Sequence, residues 1–406
     1  MEQKSAYQEC VSWLFERFPA YQNLGAEAYK PGLERVHELM ALLQLDPNKL
    51  PSIHIAGTNG KGSTAAYCAS LLQESGSKVG LFTSPHIFDF SERIRVNGRP
   101  ISQEDVIAFC LKYQALNATI DASFFELTFA MALLYFQQEN CDYIVIETGL
   151  GGRLDATNVI NPKVSIITNI GLDHQDFLGN TLEAIAGEKA GIIKTKTPVV
   201  IGEKSSPTQA IFEAQSRVLN APIYFCEDAK DLPRTVSLSG YQIHNFNTAL
   251  LALKVIGVEL PLQTQLAALE NLKTNTGFFG RFEHWKETPK IVIDVSHNPA
   301  GIAATIPLIE EECTGQLYIL YGAAKDKDAQ EILDLFPKHA KVAACVFRNP
   351  RSKSAADWQL LGVKQLFEDL PRAISEIEKQ MQPHDLLWIT GSFFLLSDLP
   401  SAKKIF

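Results

Sequence analysis

The feature that most constrains the fold is an alternation of short, β-branched, almost wholly apolar runs with stretches of helical spacing. The runs cover residues 52–56, 143–146, 164–169, 198–201, 291–295, 317–321, 342–347 and 386–390. A strand that is apolar on both faces has to be covered on both, as happens when crossover helices clad a parallel sheet. Ala65, Cys68, Ala69 and Leu72, spaced i, i+3, i+4, i+7, mark one such helix. A doubly wound α/β sheet is therefore expected. At roughly 150 residues per domain, 406 residues suggest two or three domains. The polar, Pro-containing stretch EHWKETPK at 283–290 reads as a boundary, because a fresh strand follows it and the alternation resumes to the end of the chain. The expectation is a large N-terminal domain, 1–288, and a smaller C-terminal α/β domain, 289–406, with ligands in the cleft between them.

Charge and cysteine usage narrow the function classes. Lys plus Arg number 37 against 46 Asp plus Glu, a net charge of −9, which opposes a general nucleic-acid surface. Seven cysteines without a C-x-x-C pair read as reduced thiols of a cytoplasmic protein, neither a disulfide framework nor a zinc site. The start, MEQKSAYQEC, has no signal-peptide character. The longest charge-free apolar runs, 127–138 and 386–397, fall short of the roughly 20 residues a membrane span needs. A soluble monomer acting on small molecules, with no nucleic-acid or membrane partner, is expected.

After the run at 52–56 come Gly57, Thr58, Asn59, Gly60, Lys61, Gly62 and Ser63, then the helix pattern. Glycines let the backbone turn so that N–H groups and a helix N-terminus face an anion, while the lysine adds charge near the phosphates and a hydroxyl helps with Mg²⁺. The spacing departs from G-x-x-x-x-G-K-[ST], since two residues separate Gly57 from Gly60 and Gly62 follows Lys61. A glycine-rich turn with an exposed lysine is the alternative.

Ligands of open α/β sheets bind beyond the carboxyl ends of strands. Glu147 stands at such an end, as a holder of the Mg²⁺ that accompanies a triphosphate or as a solvated loop residue. His174, among acids after the run at 164–169, is a metal or phosphate ligand or a surface histidine. Lys189 by itself reads as a solvated helix charge. In the C-terminal part, Asp294 and His297 are placed to face a ribose or phosphate, in a turn where Ser296 or Asn298 also suits the cap of a helix opened by Pro299. Arg281 lies just before the expected boundary, as a phosphate contact or a surface charge.

GTNGKGS, TSPHIFDFSERIRVNG, ETGLGGRLDATN, NIGLDHQDFLG, EKAGIIK, FFGRFE and DVSHNP follow one another along the chain. In this order they resemble folylpolyglutamate synthases and bifunctional dihydrofolate synthases of the Mur ligase superfamily, from about Leu33 to Phe393. The resemblance implies a P-loop-type N-terminal domain, a Mur-ligase-like C-terminal domain and an active site in the interdomain cleft. It further implies that Gly57 to Ser63 binds ATP together with Asn245, Arg281, Asp294 and His297. Ser84 and Glu147 are similar to ligands of one Mg²⁺, and His174 to a ligand of a second. Lys189 corresponds to a carbamylated lysine, and Lys61, Lys189, His174 and Arg281 form the catalytic set. Gly32 to Arg35, Ser123, Phe124, Phe125, Glu126, Leu154, Asp155 and Ala156 resemble segments that hold dihydropteroate. Leu154–Asp155–Ala156 favours dihydrofolate synthase activity over polyglutamylation alone.

The implied reaction starts from a carboxylate, a poor electrophile for an amine, which attacks the γ-phosphate of ATP to give an acyl phosphate. The amine of L-glutamate then displaces phosphate, and the acceptors are dihydropteroate and reduced folates. Most of the protein's task is positioning and charge neutralisation. A monofunctional folylpolyglutamate synthase is the alternative within the family. A peptidoglycan-precursor ligase would require a UDP-binding domain in the 56 residues ahead of Gly57. A phosphate-loop switch without ligase chemistry has no use for Glu147, His174, Lys189 and Arg281 together.

Overall fold

The computed structural model describes residues 5–18, 30–117, 119–226, 238 and 240–400. It comprises two compact units, Met1–Phe278 and Phe279–Phe406. The first unit holds β1 (Ser52–Ala56), β2 (Val79–Phe82), β3 (Ile94–Val96), β4 (Arg99–Pro100), β5 (Tyr143–Glu147), β6 (Val164–Ile167), β7 (Val199–Ile201) and β8 (Ile223–Phe225). Their order is β4-β3-β2-β5-β1-β6-β7-β8, parallel except for the β2/β3 and β3/β4 pairs. The second holds β9 (Glu283–Glu287), β10 (Lys290–Asp294), β11 (Leu317–Tyr321), β12 (Lys341–Cys345), β13 (Leu366–Phe367) and β14 (Leu386–Thr390). Its order is β13-β12-β11-β14-β10-β9, with β9 antiparallel to β10.

Each expected apolar run is a strand, and burial explains why. Ile53, Ile55, Val145, Val164 and Ile166 pack on one face against Ala65, Cys68, Ala69 and Leu72 of the Lys61–Glu74 helix and Phe246 of the Gly240–Val255 helix. On the other face Ile144 and Ile146 meet Phe129 and Phe136 of the Phe124–Gln138 helix. The Lys61–Glu74 helix is buried over ten of its fourteen residues, more than an amphipathic pattern implies. Sheet lies against one side of it and the Gly240–Val255 and Leu262–Glu270 helices against the other. Its small residues Ala65, Ala66, Ala69 and Ser70 permit that close approach.

The strands not expected from sequence are short or polar. The expected 288/289 boundary is one of these cases, because the compact units divide ten residues earlier, at Phe278 and Phe279. EHWKETPK is no linker: it forms β9 and starts β10, and its polarity is that of a half-exposed edge strand. The last residues of the expected C-terminal domain, 401–406, lie outside the described residues. Among the described residues no helix is long and apolar enough to cross a membrane.

β1 sits between β5 and β6, with the chain proceeding to β2 on one side and from β6 to β8 on the other. Its carboxyl end is thus the switch point of the sheet, flanked by Glu147 at the end of β5 and by Thr168 and Asn169 beyond β6.

Phe136, fully buried beneath the sheet, tests this packing. Phe136→Ala is expected to lower stability by about 3–5 kcal/mol, whereas Leu360→Ala on the surface stays within about 0.5 kcal/mol, both read by urea unfolding.

Candidate active site

The turn after β1 is shaped by what approaches it. Gly60 has φ 80° and caps the Lys61–Glu74 helix, and a Cβ there would run into the Asn245 side chain. Asn245, 185 residues downstream of Gly60 on another helix, is thereby set against the loop. Gly57 leaves no room for a side chain against Thr168. Residues beyond β6 brace the loop. Asn169 Oδ1 accepts the Asn59 N–H at 2.8 Å, and the Thr168 hydroxyl donates to the Asn59 carbonyl at 2.6 Å. Thr58 Oγ1 accepts from Gly171 N–H at 3.0 Å. Sequence reading left Thr168 and Asn169 out; a polar pair directly after a buried apolar run was the available signal.

Two amines converge on one carbonyl. Lys61 Nζ donates to the carbonyls of Gly57 and Thr58, each at 3.1 Å, and Lys189 Nζ donates to Gly57 O at 2.7 Å. Lys189 is 3% exposed, so its reading as a solvated helix charge is corrected. Burial, reinforced by the charge of Lys61 and opposed by Asp173 and Asp155, pushes its ammonium down to about 7. A large fraction is therefore neutral amine at physiological pH.

Glu147 is buried on the opposite flank, where its Oε2 accepts the Ser84 N–H at 2.9 Å. A Cβ on Gly62 would lie 3.6 Å from the same oxygen, so Ser84, Glu147 and the first turn of the loop helix are neighbours. Arg93, which sequence reading missed, is buried beside them. Its Nε donates to His86 Nδ1 at 2.9 Å and its guanidinium lies 5.3 Å from the Phe124 ring centroid. Burial lowers it to about 10, against the pull of Glu92 and Glu147, so it stays a cation. His174 adopts φ 51° at the start of the short Gln175–Leu178 helix, its N–H held by Asp173 Oδ1 at 2.9 Å. Among the described residues no three His, Cys, Asp or Glu side chains converge on a metal position. The Glu147 carboxylate and the Ser84 hydroxyl are hard oxygen donors of the kind that Mg²⁺ takes alongside water and phosphate oxygens.

The segments expected to hold an acceptor pack on one another. Ser123 caps the Phe124–Gln138 helix reciprocally with Glu126, and Glu126 also pairs with Arg35 at 3.2 Å. Phe124 stacks on Phe15 at 4.4 Å, while Phe125 lies directly beneath Gly149, where a Cβ would strike its ring. Asp155 is turned toward its own segment. Its oxygens accept from Gly149 N–H at 2.9 Å, Leu150 N–H at 2.8 Å, Thr157 N–H at 3.0 Å and the Thr157 hydroxyl at 2.5 Å. It thus folds the loop that carries Leu154 and Ala156. Arg153 ties that loop to the Leu182–Ala190 helix through Glu188 Oε1 at 2.8 Å.

In the second unit Asp294 ends β10 and accepts the N–H groups of Phe282 and Ser296, both at 2.8 Å. Asn298 caps the Pro299–Glu312 helix. His297 lies 5.9 Å from the Phe393 ring and Arg281 4.7 Å from it, so one aromatic platform gathers both expected nucleotide contacts.

The cost of burying the Lys189 ammonium is absent above its unfolded pKa and grows as pH falls toward the folded one, so this site makes stability rise with pH above about 7. Lys189→Met is expected to raise the urea midpoint at pH 7, with the gap closing toward pH 10.

Residues 55–273 match the Mur ligase middle domain and residues 280–393 the Mur ligase, glutamate ligase domain. A dihydrofolate synthase/folylpolyglutamate synthase of Bacillus subtilis is 33% identical over 98% of this chain and 100% of its own. One from Escherichia coli is 30% identical over 94% and 93%. The bifunctional enzyme of Yersinia pestis, solved with AMPPNP and a Mn ion, superposes with a TM-score of 0.86 at 27% identity, both chains covered in full. The Escherichia coli enzyme with DHPP and ADP gives 0.84 at 28%, with 97% of each chain covered. Fold, motif order and these likenesses agree, and the chain belongs to the dihydrofolate synthase/folylpolyglutamate synthase family of the Mur ligase superfamily.

Proposed function

We propose that this chain is an ATP-dependent ligase that joins L-glutamate to dihydropteroate, forming dihydrofolate, and to the γ-carboxyl of reduced folates. The observation that carries the reading is the meeting of the phosphate loop, the buried Glu147 and the buried Lys189 around the carboxyl end of β1. A nucleotide switch needs the first alone. The acceptor carboxylate attacks the γ-phosphate of ATP, ADP leaves, and the glutamate amine displaces phosphate from the acyl carbon. Lys61 follows the phosphate charge from the loop, and Arg281 assists it. Asn245, Asp294 and His297 hold the nucleotide. Asp155 serves the acceptor by fixing the loop around Leu154 and Ala156, and Phe124, buried between Phe15 and Arg93, holds the start of its helix in place behind that loop.

Ser84 and Glu147 would hold one Mg²⁺, and His174 with carbamylated Lys189 a second. Bound metal would neutralise the phosphate charge. The neutral amine of Lys189 is suited to add CO2, forming an N–C bond and releasing one proton, which exchanges a costly buried cation for an anion. The enzyme is assigned to the cytoplasm and acts as a monomer.

The test is ATP turnover with dihydropteroate or tetrahydrofolate, with and without L-glutamate, and mass analysis of the products. Glutamylated product from both acceptors is expected; tetrahydrofolate alone would leave the monofunctional alternative, and ADP formation indifferent to acceptor with no glutamylated product would remove the ligase. Lys61→Ala is expected to lower kcat about a hundredfold or more. A carbamate signal from ¹³C-bicarbonate is expected in wild type and absent in Lys189→Ala, whose activity short carboxylic acids should partly restore.

A further inference from the structure

β1 carries a polar side chain where an apolar one would serve. Ile53 and Ile55 face the loop helix, while His54 points to the opposite face, fully buried, its backbone paired beside Ile146 and Ser165. Removing an imidazole from water is costly unless its hydrogen bonds are replaced. His54 Nε2 lies 2.8 Å from Thr157 Oγ1, and the Thr157 hydroxyl is 2.5 Å from Asp155 Oδ1.

The direction of this chain follows from Asp155. Both of its oxygens accept backbone N–H groups, from Thr157 on Oδ1 and from Gly149 and Leu150 on Oδ2, so the carboxylate is an acceptor throughout. The Thr157 proton therefore goes to Asp155, and the Thr157 oxygen is left to accept from His54. That requires the neutral ring with its proton on Nε2. Burial, with Lys194 nearby, pushes the imidazole down to about 3, consistent with a neutral ring at pH 7.

We propose that His54 is a positioning residue: through Thr157 and Asp155 it fixes the glycine loop 149–152 and the Leu154–Ala156 segment, so that the strand delivering the phosphate loop also sets the acceptor loop. The proposal rests on the assignment of residues 154–156 to the acceptor. A second clamp acts on the same loop, since Asn158 Nδ2 donates to the carbonyls of Arg153 and Gly191 at 3.0 and 3.1 Å. The His54 link is the one that runs to β1.

Two measurements test it. In ¹⁵N NMR of histidine-labelled wild-type protein at pH 7, with His54 assigned by its loss in H54Q, Nε2 is expected to carry the proton and Nδ1 to be bare. A proton on Nδ1, or on both nitrogens, overturns the proposal. In steady-state kinetics Thr157→Val is expected to raise KM for dihydropteroate about tenfold while KM for ATP changes less than about twofold, and Thr157→Ser, which keeps the hydroxyl, restores the wild-type value. A folded Thr157→Val with unchanged KM for dihydropteroate overturns it. Should Thr157→Val not fold, the wild-type tautomer decides alone. Should wild type not use dihydropteroate, the proposed function falls, while the tautomer and the hydrogen-exchange protection of the Gly149 and Leu150 amides in wild type against H54Q still decide the relay: Nε2–H with protection kept in H54Q, whose amide can replace the donor, supports it, and protection lost in H54Q with any other tautomer overturns it.

Discussion

The carbonyl of Gly57 organises the first unit. It accepts from both the Lys61 and the Lys189 amino groups. The arrangement disfavours two full charges, and Lys189, the more deeply buried, yields. A phosphate loop that must attract an anion therefore has Lys61 at its surface and, behind it, a second amine whose charge is easily surrendered. That lowered basicity is what the proposed carbamylation of Lys189 draws on.

Around that carbonyl the site is built from three adjacent strand ends. β1 supplies the loop, β5 supplies Glu147, and the residues beyond β6 supply the braces Thr168 and Asn169. The carbonyls of Gly57, Thr58 and Asn59 and the N–H groups of Thr58 and Asn59 are thus paired before any ligand arrives, which leaves less of the loop to be ordered on binding. The same sheet, on its other face, carries the helix that begins with Ser123 and the loop closed by Asp155. The phosphate loop and the residues proposed for the acceptor thus rest on one set of strands, which is why a single buried side chain of β1, His54, can reach Thr157 in the loop closed by Asp155.

The low identity to solved relatives, 27% with a TM-score of 0.86 for the Yersinia pestis enzyme, fits this construction. Most of the chain has only to supply apolar strands and helices of suitable volume, which many sequences do. The loops at the strand ends answer to narrower demands: a positive φ at Gly60, close approach at Gly57, four donors to one carboxylate at Asp155.

The strands buried on both faces, the phosphate loop and the cap before Pro299 were legible because local pattern alone dictates them: continuous apolar runs, glycines at a βα turn, a small polar residue before a helix. The edge strand β9 was not, since a half-solvated edge tolerates the same polar residues as a linker, and the domain boundary moved with it. Nor were Arg93, Thr168, Asn169 and His54, whose importance comes from partners distant in the chain. Sequence likewise made Lys189 an ordinary helix charge when taken without the family pattern. Composition and periodicity determined which segments form the sheets and where a phosphate loop must lie. Only the tertiary structure decided which charges lose their water, because desolvation depends on everything packed around a group and not on its neighbours in the chain.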